Sequence, residues 1–238
     1  MKLLLINPNT TASMTQKAAV AARKVARPDT EIIATNPAHG PYSIEGFYDV
    51  AQCLPGLLEE AARHKDVDAV IIACFDDTGL DAMRCLVDVP VIGIGEAGYH
   101  AASMVAHRFS VVTTLSRSVA GITDNLMRYG LATKCASVRA TDIPVLKLEE
   151  GDPACLDQIR DEIRAAISQD KAEAIVLGCA GMADLMQQLS AEFGIPVIDG
   201  VSCAVGLAEA MVAAGLSTSK AGAYAAAVHK RPAAELAQ

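Results

Sequence analysis

The same unit occurs twice in this chain, and that repeat limits the folds open to it. Ala69-Val70-Ile71-Ile72-Ala73-Cys74 and Ala174-Ile175-Val176-Leu177-Gly178-Cys179 are apolar, strand-like runs that each close on a thiol. A small-residue stretch follows each run, and then an apolar-Pro-Val-Ile segment, Val89–Ile92 in the first copy and Ile195–Ile198 in the second. Cys179 lies 105 residues after Cys74, and Pro196 lies 106 after Pro90. Two halves with a thiol at matching places suit a reaction that is itself a mirror image. One thiol takes a proton from one face of a carbon, and the other returns a proton to the opposite face.

Between these anchors, apolar runs alternate with helical patterns from end to end, the mark of βαβ units and a parallel sheet. The patterns predict strands at Leu3–Asn7, Glu31–Thr35, Asp68–Ala73 and Val89–Ile94. A second set is predicted at Phe109–Thr113, Cys135–Ala140, Ala174–Gly178 and Pro196–Asp199. Helices are expected at Met14–Ala26, Gly46–His64, Val119–Tyr129, Pro153–Ser168 and Ser202–Ala214. The expected fold is α/β, with two pseudo-symmetric Rossmann-like domains, each a mainly parallel four-stranded sheet. Residues 1–96 plus 208–238 would form the first domain and 97–207 the second. A composition of 52% hydrophobic residues with 4% aromatics and no Trp fits strands buried on both faces.

Other classes are disfavoured. The net charge is −8 with no Lys/Arg cluster, so no nucleic-acid partner is expected. No apolar run approaches membrane-spanning length, and Leu3–Ile6 is too short for a signal-peptide core. Seven cysteines without a secretory signal point to reduced thiols and a cytoplasmic location. The His residues at 39, 64, 100, 107 and 229 lack metal-ligand spacing, so neither metal nor cofactor is expected. Gly93-Ile94-Gly95-Glu96-Ala97-Gly98 fits a dinucleotide-binding string but follows the fourth strand, not the first.

Ligands of open parallel sheets bind beyond the carboxyl ends of the strands. The segments there are Asn7–Thr11, Asn36–Tyr48, Cys74–Thr78, Thr113–Ser118 and Cys179–Gly181, all able to converge on an interdomain cleft. These residues resemble the aspartate/glutamate/hydantoin racemase superfamily, and within it the hydantoin and allantoin racemase branch. The matches are Asn7-Pro8-Asn9-Thr10-Thr11, Gly40–Asp49, Val111–Ser118 and the paired Cys74 and Cys179, and they span nearly the whole chain. The resemblance implies an interdomain site and cofactor-independent racemisation. Asp76-Asp77-Thr78 departs from the Gly-Asp-Pro-like turn usual after the first Cys-Phe of that branch.

In this reading Cys74 and Cys179 are the acid/base pair, their thiol pKa lowered by the start of the helix that follows each. Backbone N–H groups of Phe75, Asp76, Ala180 and Gly181, with hydroxyls of Thr113, Thr114 or Ser116, would stabilise the enolate oxygen. Asn9, Ser43, Ile44 and Glu45 would hold the ring, and Arg117 a carbonyl or a carboxylate. At least one of Asp76 and Asp77 is expected to be only a helix cap or first-turn acid. Thr10 and Thr11 are expected to cap the first helix. The expected partners are a small-molecule substrate and further copies of the chain in a homo-oligomer. Two alternatives stay open, an amino-acid or related acid racemase and a two-lobed binding protein without catalysis. Arg117 is the only basic residue in the strand-end turns just named for the site, which favours a neutral cyclic ligand.

Overall fold

The computed structural model describes residues 1–149 and 153–226. The first half runs β1 Lys2–Ile6, α1 Ala12–Val25, β2 Glu31–Thr35, α2 Phe47–Arg63, β3 Ala69–Ile72, α3 Leu80–Leu86, β4 Val91–Gly93 and α4 Ile94–Val105. The second half runs β5 Phe109–Thr113, α5 Val119–Arg128, β6 Cys135–Ala140, α6 Val145–Glu149, α7 Pro153–Ser168, β7 Ala174–Gly178, α8 Met186–Phe193, β8 Val197–Asp199 and α9 Gly200–Ala213. The strand orders are β2-β1-β3-β4 and β6-β5-β7-β8, and every pairing is parallel. The repeat seen in the sequence is therefore a repeat of topology.

Strand alternation divides the apolar residues between three cores. Leu3, Leu5, Ala69 and Ile71 face a core shared with Phe109, Val111, Ala174 and Val176 of the other half. The opposite face of the first sheet, Leu4, Ile6, Val70 and Ile72, packs on Leu57 of α2 and Met83 of α3. In the second sheet Val112, Ile175 and Leu177 pack on Ile159 and Ile163 of α7 and Leu189 of α8. Helices α4 and α9 cross between the halves with little between them. A Cβ on Gly200 would stand 2.2 Å from the Ile94 carbonyl oxygen, and one on Gly98 would stand 3.5 Å from the Gly200 Cα.

β4 is shorter at both ends than its pattern suggests, and β8 starts one residue late but ends at Asp199 as expected. Pro90 has no N–H for the ladder, although its carbonyl accepts from Val70 N at 2.9 Å, and the helices begin at Ile94 and Gly200 with no linker. The dinucleotide-like string is the start of α4. Its glycines are set by Asp77, which a Cβ on Gly93 would meet at 2.0 Å and one on Gly95 at 2.7 Å.

After β8 the chain turns back on the first half. Glu209 of α9 accepts from Arg27 N (2.8 Å) and Thr30 Oγ1 (2.6 Å), Thr218 bonds to Asp88 and Val89, and Lys220 donates to the Arg84 and Val87 carbonyls. The end of the 208–238 segment, from residue 227 on, lies outside the described residues, as does His229. No described helix is long and apolar enough to cross a membrane.

Candidate active site

In each sheet the strand order reverses between the first and third strands of its half, which opens a crevice at their carboxyl ends. Cys74 stands two residues past β3 and Cys179 one past β7, so each thiol sits at the switch point of its own sheet. The local turns match. Asp77 N donates to Cys74 O at 3.0 Å, and Met182 N donates to Cys179 O at 3.1 Å. Each cysteine packs on its half's own core, while the next residue, Phe75 or Ala180, packs on the shared core.

Cys74 and Cys179 line one cavity of about 50 Å³. That volume holds a few water molecules. Of the residues expected at the site, Asn9, Ile44, Phe75, Asp76, Thr113, Thr114 and Ala180 line it as well. Asn7, Met14, Ala73, Ser118, Val145 and Gly178 also line it, without having been singled out from the sequence. Asn7 and Ser118 belong to segments that were, and their spacing after β1 and β5 was the usable signal. No Lys, Arg or His lines the cavity among the described residues.

Five expected residues lie off that lining. Glu45 Oε1 accepts from Ser43 Oγ (3.1 Å) and from Val145 N (3.3 Å), so the pair clamps the loop before α2 to the start of α6. Ser116 N donates to Asp142 Oδ1 at 2.9 Å on an exposed turn. Arg117 is exposed, and its Nε stands 3.3 Å from an ideal Cβ on Gly46. Gly181 backs the Cys179 sulfur, which is 3.6 Å from an ideal Cβ there, and faces a separate cavity of about 410 Å³ between α1 and α8. That larger cavity contains no thiol and meets the site only at Ala180.

The polar groups are closely fixed. Asn7 Nδ2 donates to Asn9 Oδ1 (2.8 Å) and Thr15 Oγ1 (3.1 Å), and Asn9 Oδ1 also accepts from Thr11 N (2.9 Å). Asn9 Nδ2 has only a long contact to the Met14 sulfur, 3.6 Å, and so remains a donor for a ligand. The Thr113 hydroxyl gives its proton to Gly178 O at 3.1 Å, which removes it as an oxyanion donor. Thr10 and Thr11 do not cap α1. Their hydroxyls donate to Pro41 O and Tyr42 O and hold the 40–46 loop instead.

The expectation of a thiol pKa lowered by a helix start fails at Cys74. α3 begins six residues later, at Leu80, so the helix that follows the thiol does not start beside it. Burial, helped by the Asp76 charge, pushes the Cys74 thiol well above its ordinary range. The Thr78 hydroxyl, 3.5 Å away, and the Asp76 backbone N–H pull the other way without prevailing. Asp76 is itself pushed up to about 6 by burial.

Asp77 is a helix cap, but of a helix 17 residues further on. With φ of 51°, it accepts from Gly95 N (2.9 Å), Glu96 N (2.7 Å) and the Tyr129 hydroxyl (2.8 Å). Burial still pushes its carboxyl up to about 7 against those three donors. In the second half Asp199 caps α9 from its own strand end, accepting from Val201 N and Ser202 N at 2.9 Å each. Phe75 and Tyr129 pack around Tyr99 beneath the Cys74 turn, with centroids 5.2 and 6.2 Å away. Burial pushes up Cys53 to about 12, and Cys135 and Cys203 to about 11 each. No disulfide joins any of the cysteines. Among the described residues no group of three or more His, Cys, Asp or Glu could hold a metal ion.

With that geometry in place, the chain can be compared with known proteins. Residues 3–208 match the Asp/Glu/Hydantoin racemase family. A hydantoin racemase of Rhizobium meliloti is 48% identical over 227 residues, covering 94% of each chain. A hydantoin racemase of a Pseudomonas species is 45% identical over 226 residues, covering 94% of this chain and 91% of its own. Among solved structures, an allantoin racemase from Klebsiella pneumoniae superposes with a TM-score of 0.94 at 47% identity, covering 98% of this chain and 96% of its own. The chain belongs to the Asp/Glu/hydantoin racemase family and is an isomerase of the racemase type.

Proposed function

We propose that this member of the Asp/Glu/hydantoin racemase family inverts the stereogenic carbon of a hydantoin-type ring, the class that includes 5-substituted hydantoins and allantoin. Cys74 and Cys179 would move the proton, without a cofactor. The observation that carries this reading is a cavity lined by two strand-end thiols from opposite halves and by no cationic side chain. An open-chain amino acid brings a carboxylate, and burying that charge without a cation is costly. A hydantoin ring is neutral, and its carbonyls and N–H groups match the amide and hydroxyl groups present. The names carried by the relatives support the same ring class.

Cys179, as thiolate, removes the C5 proton. The electron pair of that C–H bond moves toward C4, and the C4 carbonyl becomes an enolate. Cys74, held as a thiol by its surroundings, then gives its proton to the opposite face of C5 as the pair returns. The cycle ends with Cys179 as thiol and Cys74 as thiolate, ready for the other enantiomer. The Asp76 N–H and the Thr78 hydroxyl stabilise the Cys74 anion in that state. Asn9 Nδ2 donates to a ring carbonyl, and the Thr114 hydroxyl with the Ala180 N–H serves the enolate oxygen.

Polarimetry on a panel of allantoin, alkyl and aromatic hydantoins, aspartate and glutamate tests the assignment. Optical rotation of the cyclic compounds should decay with enzyme and that of the amino acids should persist. Activity should survive chelator and dialysis under reducing conditions. Faster turnover of an amino acid than of every ring, or activity restored only by an added metal or pyridoxal phosphate, would overturn it.

A further inference from the structure

The thiol cavity is too small to hold a ring together with a bulky substituent on its reacting carbon, and a second space adjoins it. A cavity of about 220 Å³ shares Asp76 and Ser118 with it, and is lined further by Phe47, Arg117, Gly121 and Asp124. The Asp76 main chain is pinned in the partition, where its carbonyl accepts from Asn125 Nδ2 at 2.9 Å. Asp76 lines both spaces, and its carboxylate accepts no side-chain or backbone hydrogen bond from the described residues.

We propose that this second cavity receives the ring substituent and selects a planar, neutral one that carries N–H donors, of the ureido or carbamoyl kind. The inference rests on the ring assignment above. A largely buried carboxylate with no donor loses hydration and gains nothing in return. An N–H-bearing substituent supplies that donor, and a branched alkyl group does not. Asp124 offers a second acceptor and Arg117 a donor for the substituent carbonyl, in a lining that also holds the exposed Phe47 ring. Asp76 and Asp124 would both meet an anionic substituent, and because Arg128 of the same lining pairs with Asp81, Arg117 is the cation set against them, so the lining does not favour a carboxylate. The larger cavity between α1 and α8 is a poorer candidate, because it touches the thiol site only through Ala180.

Gly121 gives the direct test. It lies on α5 without positive φ, and an ideal Cβ there meets only Phe47, at 3.8 Å. A leucine would fill the cavity from a position where a helix accepts it. Racemisation of 5-ureidohydantoin, 5-isobutylhydantoin and 5-methylhydantoin would be followed with the full chain, each rate divided by the spontaneous one. The wild type should favour the ureido over the isobutyl compound at least tenfold in kcat/KM. Gly121→Leu should cut the ureido-to-methyl ratio at least tenfold, and Asp124→Ala, on the exposed face of α5, about threefold. Equal use of isobutyl and ureido rings by the wild type would overturn the inference. So would a ureido-to-methyl ratio unchanged within twofold in both variants, with near-ultraviolet circular dichroism confirming that at least one is folded. Failure of the wild type on all three rings would instead overturn the ring assignment, and this inference with it.

Discussion

The turn after Cys74 and the turn after Cys179 each close with a hydrogen bond from the third residue on to the cysteine carbonyl, and differ in backbone and in nearly every neighbour: Asp77 is left-handed, with φ of 51°, whereas a 3-10 helix, Ala180–Leu185, follows Cys179 directly. The first reads Phe75-Asp76-Asp77-Thr78, the second Ala180-Gly181-Met182-Ala183. Asp77 and Met182 hold the same place in the turn, and both are buried. One carries a charge that ties the turn to the start of α4, and the other fills an apolar core. Symmetric topology therefore puts two thiols on one cavity, and asymmetric side chains give them unequal surroundings. Under the proposed mechanism the reaction runs in both directions, but Cys74 and Cys179 need not resemble each other at rest.

Replacing the thiols one at a time tests whether the halves play opposed parts. Cys74→Ser or Cys179→Ser should lower racemisation by at least a thousandfold, because a serine hydroxyl is far too weak an acid to serve as an anionic base at neutral pH. In heavy water each variant should still exchange the α-proton of mainly one enantiomer with retention, and the two variants should choose opposite enantiomers. Exchange of the same enantiomer by both, followed by proton NMR, would remove the comparison altogether.

The two caps sharpen it next. Asp77→Ala strips three donors of their acceptor across separate elements, so urea unfolding should show a loss of about 3–4 kcal/mol. Asp199→Ala removes a local cap and should cost about 1–2 kcal/mol. Equal losses would mean that the long-range link adds nothing.

Asp76 has no acidic counterpart in the second half, where Gly181 stands. Its pKa of about 6 in the fold lies above the ordinary carboxylate value, so its charge disfavours the folded state above that pH. Asp76→Asn should therefore be more stable than wild type at pH 8, by up to roughly 3 kcal/mol, and the gain should fade as pH drops from 6 toward 4. The same change removes a charge that raises the Cys74 pKa. The pH midpoint for alkylation of Cys74, read by peptide mass spectrometry, should then move down, while that of Cys179 should move less. The smallest effect is expected at the clamp between the halves. Glu45→Gln should raise KM a few-fold and change stability by less than about 1 kcal/mol, since one long hydrogen bond to Val145 N is weakened.

Much of this was legible in the chain itself. Phe109–Thr113 and Ala174–Gly178 are runs of small and apolar residues, and they became strands with the expected ends because every position in them is buried. The positions of Cys74 and Cys179 followed from the repeat, and Asn9 and Thr114 from lying beyond β1 and β5. Contacts decided by tertiary approach were hidden. Nothing near Asp77 in the sequence points to Gly95 and Glu96, and nothing near Glu45 points to Val145. The surroundings of Cys74, though not the helical turn that starts beside Cys179, were misjudged for a related reason. A short stretch after a strand was read as a helix start, whereas α3 begins only at Leu80 and burial dominates at the sulfur.

The glycine crossing of α4 over α9 bears on how such a duplicated chain can diverge. A Cβ on Gly200 would stand 2.2 Å from the Ile94 carbonyl oxygen, so even one added methyl group would force α4 and α9 apart. The strand-end turns carry no such limit, since Asp76 in one copy corresponds to Gly181 in the other. Substrate preference is thus free to drift at the rim while the pivot stays fixed. On the proposed mechanism, the thiol spacing can be inherited unchanged by descendants that act on different molecules.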